Sequence, residues 1–295
     1  MKVLVAGGAG MLGHKMFQVL RERFAGVFCT VRADVSVPPL NRVALLQGKD
    51  VLPGIDVAEF SALREALLAL RPEFMVNCVG VIKQRTEAAL PIPSITVNSL
   101  LPHRLADLCS AWGGRVIHFS TDCVFSGRRG NYTEDDRSDA EDLYGKTKSL
   151  GEVTAANALT LRTSIIGREL TEHRSLLDWF LAQNHGTVRG YRRVIYSGVT
   201  TNFLAGLVAS IIREHPGLNG LYQVASEPIS KYDLLCLLRE AYQLDVRIEP
   251  DDLEESDRSM RCDRLREAIG YQCPPWPVLA RQLAEDNTPY GTWLE

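Results

Sequence analysis

The stretch Met1-Lys2-Val3-Leu4-Val5-Ala6-Gly7-Gly8-Ala9-Gly10-Met11-Leu12-Gly13-His14 decides how this chain folds. Lys2 to Ala6 is a short, nearly all-apolar run, the pattern of a strand buried on both faces. Three glycines follow at once, and Met11 to Arg23 then has the amphipathic spacing of a helix. Gly-x-x-Gly-x-x-Gly alone is a weak signal; its meaning comes from the strand before it and the helix after it. In that setting Gly7 permits a tight turn and Gly10 lets backbone N–H groups approach a pyrophosphate. Gly13 lets the helix pack close to the strand, and the helix N-terminus adds partial positive charge.

The same alternation continues outward from this unit. Strands are expected at Val27 to Arg32, Phe74 to Gly80, Val116 to Ser120 and Leu159 to Thr163. Helices are expected at Glu59 to Leu70, Ile95 to Ala111 and Tyr144 to Asn157. Apolar strands alternating with helices predict an α/β fold with a doubly wound parallel sheet over residues 1–165. Beyond 165 the rhythm loosens. Helices are expected at 175–184, 202–214, 231–242 and 276–285, with short strands at Leu221 to Val224 and Val246 to Glu249. Residues 166–295 therefore read as a smaller C-terminal substrate-binding lobe, with a return of part of it to the sheet left open. The acidic run Glu249 to Asp257 reads as a solvated loop, because clustered like charges repel in a packed interior.

Composition narrows the function classes. The chain has 295 residues, a net charge of -3, 45% hydrophobic and 23% charged residues. Those are globular values, and 295 residues are enough to bury a sizeable core. No basic excess points to nucleic acid or to an anionic membrane surface. No apolar run is long enough to span a bilayer, and the opening stretch is too short for a signal peptide. The seven cysteines are scattered and contain no Cys-x-x-Cys pair. Reduced thiols in a cytoplasmic protein are expected, with no zinc site and no disulfide framework. The histidines, His103, His118 and His173 among them, show no metal spacing.

Two stretches bear on the choice of dinucleotide. An acidic residue at the end of the second strand would bond a ribose hydroxyl, and an arginine would pair with a 2′-phosphate. Arg32 lies nearer that end than Asp34, which favours NADP(H) over NAD(H). Asp56, with Val57 beside it, reads either as an acceptor for the adenine amine or as the cap of the next helix.

Catalytic chemistry is suggested by Tyr144 and Lys148, which share a helical face at i and i+4. An ammonium there would lower the phenol pKa and make Tyr144 a usable proton donor, while Lys148 also reaches a nicotinamide ribose. Ser120-Thr121-Asp122 closes a predicted strand, where open α/β sheets place ligands. The Thr121 hydroxyl could bond a carbonyl oxygen as charge builds on it.

These motifs occur in order: the glycine loop, Ser120-Thr121-Asp122-Cys123-Val124-Phe125-Ser126-Gly127, Tyr132-Thr133-Glu134-Asp135-Asp136, and Tyr144-Gly145-Lys146-Thr147-Lys148 with Gly151-Glu152. With Leu161-Arg162-Thr163-Ser164 and Gly220-Leu221-Tyr222-Gln223-Val224, the chain resembles the extended short-chain dehydrogenase/reductase superfamily. Within it, the dTDP-4-dehydrorhamnose reductase family is the most similar. The resemblance implies a Rossmann-type fold and a catalytic set of Thr121, Tyr144 and Lys148. It implies a cofactor cradle of Gly7, Gly10, Met11, Leu12 and Gly13, with Asn98 on the helix beside the site and Gly80 in the loop after the fourth strand.

There are departures from the family pattern. Cys123 stands where its members carry Tyr, and Ala6 where they carry Thr. The stretch Gly80-Val81-Ile82-Lys83-Gln84 also differs, and Lys83 could meet a diphosphate or a sugar substituent.

The expected reaction is NAD(P)H-dependent reduction of a keto group, at C4, on a nucleotide-diphosphate deoxysugar. Arg189, Arg193 and Arg258, in company with Tyr191, Arg192, Tyr196 and Arg261, are candidates for its phosphates, and Asp122 for the sugar. A homodimer is compatible with the sequence. One alternative is an epimerase or 4,6-dehydratase of the same superfamily, although Cys123 replaces the Glu a dehydratase would carry after Thr121-Asp122. The other is a cofactor-binding regulatory subunit like the β subunit of methionine adenosyltransferase.

Overall fold

The structure is a computed structural model that describes residues 1–82, 89–171 and 174–294. Lys83, Gln84 and His173 lie outside the described residues. The first half of the chain runs β1 (Lys2–Ala6), α1 (Met11–Arg23), β2 (Gly26–Thr30), β3 (Val51–Leu52), α2 (Phe60–Leu70) and β4 (Phe74–Asn77). A helical run follows, composed of α3 (Pro91–Ser94), a π-helical segment (Ile95–Leu100) and α4 (Leu101–Ser110), and then β5 (Arg115–Thr121), α5 (Leu143–Leu150) and β6 (Ala158–Thr163). The second half holds β7 (Ile165–Ile166), α6 (Leu176–Leu181), β8 (Thr187–Tyr196), β9 (Val199–Thr200), α7 (Thr201–Glu214) and β10 (Gly220–Gln223). It closes with β11 (Ile229–Ser230), α8 (Lys231–Ala241), β12 (Arg247–Asp257), α9 (Asp263–Ile269), α10 (Trp276–Ala284) and α11 (Tyr290–Leu294).

Seven parallel strands form the central sheet in the order β10-β6-β5-β4-β1-β2-β3. The direction of progression reverses between β1 and β4, so the carboxyl ends of those strands frame the crevice in which such sheets bind ligands. One apolar cluster joins the sheet to α1 and α7 through Val3, Val5, Met16, Phe17, Leu204 and Val208. A second covers the opposite face through Leu4, Ala6, Leu63, Leu67, Leu101 and Leu105. β10 belongs to this sheet, so the chain beyond 165 does return to it. A separate core of Leu177, Phe180, Val188, Leu234, Leu238, Trp276 and Leu279 holds the smaller lobe.

Two expectations need correction. Helix α5 stops at Leu150, well short of Asn157. A Cβ at Gly151 would sit 1.9 Å from the Asn98 carbonyl oxygen, so the chain here lies directly on the neighbouring helical segment. Asn157 then anchors the outgoing chain, its amide donating to the carbonyls of Ala106 (2.8 Å) and Gly114 (3.1 Å). The acidic run is not a loop. It forms most of β12, an edge strand of a three-stranded sheet in the order β11-β8-β12, and tolerates Pro250 there. Its repulsion is relieved by pairing: Arg189 with Asp251, Arg192 with Asp252 and Arg193 with Glu255, all across to β8.

The π-helical segment has a local cause. Pro102 has no N–H to give the carbonyl four residues back, that of Asn98. The Leu101 N–H instead reaches the Thr96 carbonyl, a π-type bond. The widened turn places Asn98 and Ser99 against α5, where Ser99 Oγ donates to the Thr147 carbonyl at 2.8 Å.

Candidate active site

The glycine loop does what a phosphate cradle needs. Gly7 has φ +84°, a conformation that side chains rarely adopt. A Cβ on Gly13 would lie 1.9 Å from the Gly7 carbonyl oxygen, so only glycine lets α1 start this close to β1. A Cβ on Gly10 would meet nothing nearer than Gly7 O at 3.4 Å, which leaves its outer side open for a ligand. Met11 begins α1 and Leu12 is buried behind it. These features fit a dinucleotide pyrophosphate. Gly13→Ala is expected to displace the loop and weaken NADPH binding by about tenfold or more, the scale of one overpacked methyl. A fluorescence titration that found unchanged affinity would count against the loop as the cradle.

Arg32 lies two residues beyond β2, is exposed, and has no hydrogen bond or ion pair among the described residues. Asp34 is occupied in its own turn, where its carboxylate accepts from the Ser36 N–H (2.8 Å) and hydroxyl (2.7 Å). Asp56 caps the turn before α2, accepting from Ala58 N–H at 2.9 Å, and the helix itself starts one residue after Glu59. Val57 is buried in the core behind the sheet's carboxyl edge. Asn98 is buried: its Oδ1 accepts from Val81 N–H (2.9 Å), and its Nδ2 donates to the Val81 carbonyl (3.0 Å) and to Thr147 Oγ1 (3.3 Å). It thus ties the loop after β4 to α5, and Gly80 lies against it, since a Cβ there would sit 3.4 Å from Asn98 Oδ1.

Thr121, Tyr144 and Lys148 come together at the carboxyl end of β5. Thr121 Oγ1 donates to Asp122 Oδ1 (3.1 Å) and accepts from Cys123 N–H (3.1 Å). The same hydroxyl is a hydrogen-bond partner of the Tyr144 phenol. Helix α5 is started by Asp142, whose carboxylate accepts from Gly145 N–H at 2.7 Å. A Cβ at Gly145 would lie 2.2 Å from the Cys123 carbonyl oxygen, so this glycine lets α5 rest on the turn after β5.

The electrostatics differ from the expectation. Burial pushes the Tyr144 phenol above its ordinary pKa, and the nearby Cys123, Asp122 and Asp142 act in the same sense. The Lys148 ammonium is buried and donates to the Phe119 carbonyl at 2.6 Å. Its own pKa is lowered to about 8 by burial, against an opposing pull from Glu152. In the protein alone, desolvation therefore outweighs any acidifying influence of Lys148 on Tyr144.

A supporting network escaped the sequence reading. Arg162 grips Glu152 with two bonds (2.8 and 2.7 Å), and Ser120 Oγ donates to the same carboxylate at 2.6 Å. The pair is buried, at 3% and 11% side-chain exposure, and pins the end of α5 to β5 and β6. The signal was present as Gly151-Glu152 and Leu161-Arg162, but nothing in one dimension paired them.

The substrate candidates divide. Asp122 is buried beside Thr121. Arg258 donates to the carbonyls of Phe125 (2.9 Å) and Ser126 (3.2 Å), holding the loop after β5. Arg189 and Arg193 are exposed along β8 and paired to β12. Tyr196 lies seven positions beyond Arg189 on β8, roughly 23 Å of strand. Among the described residues no group of side chains could hold a metal ion, and no helix is long and apolar enough to cross a membrane.

Comparison with known proteins adds four findings. A family model described as the RmlD substrate binding domain matches residues 1–277. The dTDP-4-dehydrorhamnose reductase of Streptomyces griseus is 32% identical over 150 residues, or 50% of this chain and 43% of its own length, so the match spans less than half of that relative. The methionine adenosyltransferase 2 subunit beta of Rattus norvegicus is 24% identical over 265 residues, 82% of this chain and 72% of its own. Among solved structures, the dTDP-4-dehydrorhamnose reductase of Bacillus anthracis str. Ames in complex with NADP superposes with a TM-score of 0.76 at 17% identity. That superposition covers 97% of this chain and 99% of the other, a likeness of fold.

Proposed function

The chain belongs to the RmlD substrate binding domain family, and on that premise we propose that it reduces a keto group, at C4, of a nucleotide-diphosphate deoxysugar with NAD(P)H. The observation that carries this is the Tyr144 phenol bonded to the Thr121 hydroxyl at the carboxyl end of β5, with Lys148 one turn further along α5. NADP(H) is the preferred cofactor, because Arg32 is uncommitted at the end of β2 while Asp34 is engaged by Ser36.

Gly7, Gly10 and Gly13 would hold the pyrophosphate, and Arg32 a ribose phosphate. A bound reduced nicotinamide supplies the hydride. The chain does the rest. Thr121 orients the substrate carbonyl oxygen. Tyr144 Oη carries the proton that this oxygen needs as it becomes an alkoxide. The phenol is protonated at neutral pH, which is the state a donor requires, although burial makes it a weaker acid in the protein alone. Lys148 brings positive charge to the same region, and the Glu152–Arg162 pair holds its helix in place.

The pH dependence follows from Lys148. Its ammonium persists below about 8 and is lost above. Reductive kcat/KM is therefore expected to be level through neutral pH and to fall as pH rises through about 8. Lys148→Arg should remove that limb, since a guanidinium stays charged. A wild-type profile flat to pH 10 would contradict the assigned role.

The deciding experiment is a panel of nucleotide-linked 4-keto and 3-keto sugars assayed with NADPH and NADH. Stoichiometric loss of reduced-nicotinamide absorbance supports a reductase, whereas turnover without net loss points to an epimerase. The extended likeness to the subunit beta proteins favours a second reading, a cofactor-binding regulatory subunit. No turnover on the panel, together with co-purification of a larger enzyme, would establish that reading instead.

A further inference from the structure

Lys231 belongs to the smaller lobe, and its ammonium lies over the Tyr196 ring. It opens α8 just after β11, whose pairing with β8 (Ile229 with Tyr196, Ser230 with Ile195) sets it beside Tyr196. Its ammonium lies 5.7 Å from the Tyr196 ring centroid. The start of α8 is capped without it: Ser230 Oγ accepts from Asp233 N–H (3.0 Å) and donates to the Asp233 carboxylate (2.6 Å). The Lys231 side chain is half-buried, and its ammonium has no hydrogen-bond acceptor and no ion-pair partner among the described residues.

Its neighbours locate it. Burial pulls its pKa below the lysine range, Asp122 and Cys123 oppose that, and Arg258 reinforces it. Asp122 and Cys123 directly follow Thr121, so the charge is felt at the turn that carries the substrate-facing hydroxyl. Arg258 is engaged by the Phe125 and Ser126 carbonyls and offers Lys231 nothing. The Tyr196 hydroxyl beneath is buried beside Ser164, which follows Thr163, the partner of Thr121 on the neighbouring strand. A desolvated ammonium carries three N–H groups that need oxygen acceptors. A sugar ring held against Thr121 would bring them.

We propose that Lys231 is a sugar-binding residue, donating to an oxygen substituent on the ring carbon next to the keto carbon held by Thr121 and Tyr144, and that it selects sugars carrying that oxygen. This rests on the reductase reading above. The ring geometry favours a ring oxygen over the diphosphate: C1, which bears the phosphates, is across the pyranose from C4. An ammonium at the Thr121 turn therefore meets ring substituents first.

The test uses the full chain and a keto sugar that the wild type turns over. Lys231→Met is expected to raise the sugar KM by about 10- to 100-fold, the range of one hydrogen bond to a charged group. kcat, the NADPH KM and the melting temperature should stay near wild type, the signature of lost uniform binding. Lys231→Arg should restore most of the sugar affinity. An analogue deoxygenated at C3 should be discriminated by the wild type and no longer by Lys231→Met, an effect that a merely structural role would not produce. If Lys231→Met does not fold, Lys231→Gln takes its place. An unchanged sugar KM, or discrimination that survives the substitution, overturns the proposal. Absence of wild-type turnover across the whole panel overturns the reductase reading, and this proposal with it.

Discussion

Tyr144→Phe is expected to lower kcat by about 10²-fold or more, the range of lost general acid–base catalysis. NADPH affinity should stay within about threefold, under 1 kcal/mol. The effect is large because the structure offers the carbonyl oxygen no equivalent donor. Thr121 can orient that oxygen, but an aliphatic hydroxyl does not give up its proton, and Lys148 donates to the Phe119 carbonyl. The substitution removes one oxygen from a ring whose packing it otherwise keeps, so folding should be unaffected. Single-turnover rates with NADPH would isolate the chemical step. A turnover near that of the wild type would remove Tyr144 from the mechanism and the enzymatic reading with it.

Asp286→Ala is expected to destabilise the protein by about 3–5 kcal/mol, because it strands a buried charge. Lys15 lies on α1 with 2% side-chain exposure, and Asp286 faces it at 2.7 Å from the other end of the sequence. The ammonium also donates to Thr288 (2.7 Å) and Gln18 (2.9 Å), and Nε2 of the adjacent residue His14 bonds the Tyr290 hydroxyl at 2.8 Å. Residues 286–290 are thus fastened across the helix that begins at the glycine loop. Thermal unfolding should show the midpoint falling by roughly 5–10 °C. The double substitution Lys15→Met with Asp286→Leu should recover most of the loss, since an apolar pair needs no counter-charge. A single-variant loss of about 1 kcal/mol or less, as for an exposed pair, would show that the ammonium is not confined as described.

Much of this molecule is legible in one dimension. Lys2 to Ala6 and Met11 to Arg23 are the strand and helix expected, with the same bounds. The reason is local: period, glycine placement and apolar runs act within a few residues of themselves. The i,i+4 spacing of Tyr144 and Lys148 is likewise local and survives into α5. The acidic run Glu249 to Asp257 reads as a loop but forms a strand, because its repulsion is answered by Arg189, Arg192 and Arg193, some sixty positions earlier, and no local pattern announces that pairing.

The sequence by itself settled the parallel α/β fold, the glycine loop and the i,i+4 pairing of Tyr144 with Lys148, since each rests on neighbours along the chain. Only the tertiary structure decided which way Tyr144 titrates, where Lys148 points, that Glu152 belongs to Arg162, and that Lys231 lies over the Tyr196 ring. Burial and long-range charge decide those matters, and both depend on which distant segments the fold brings together.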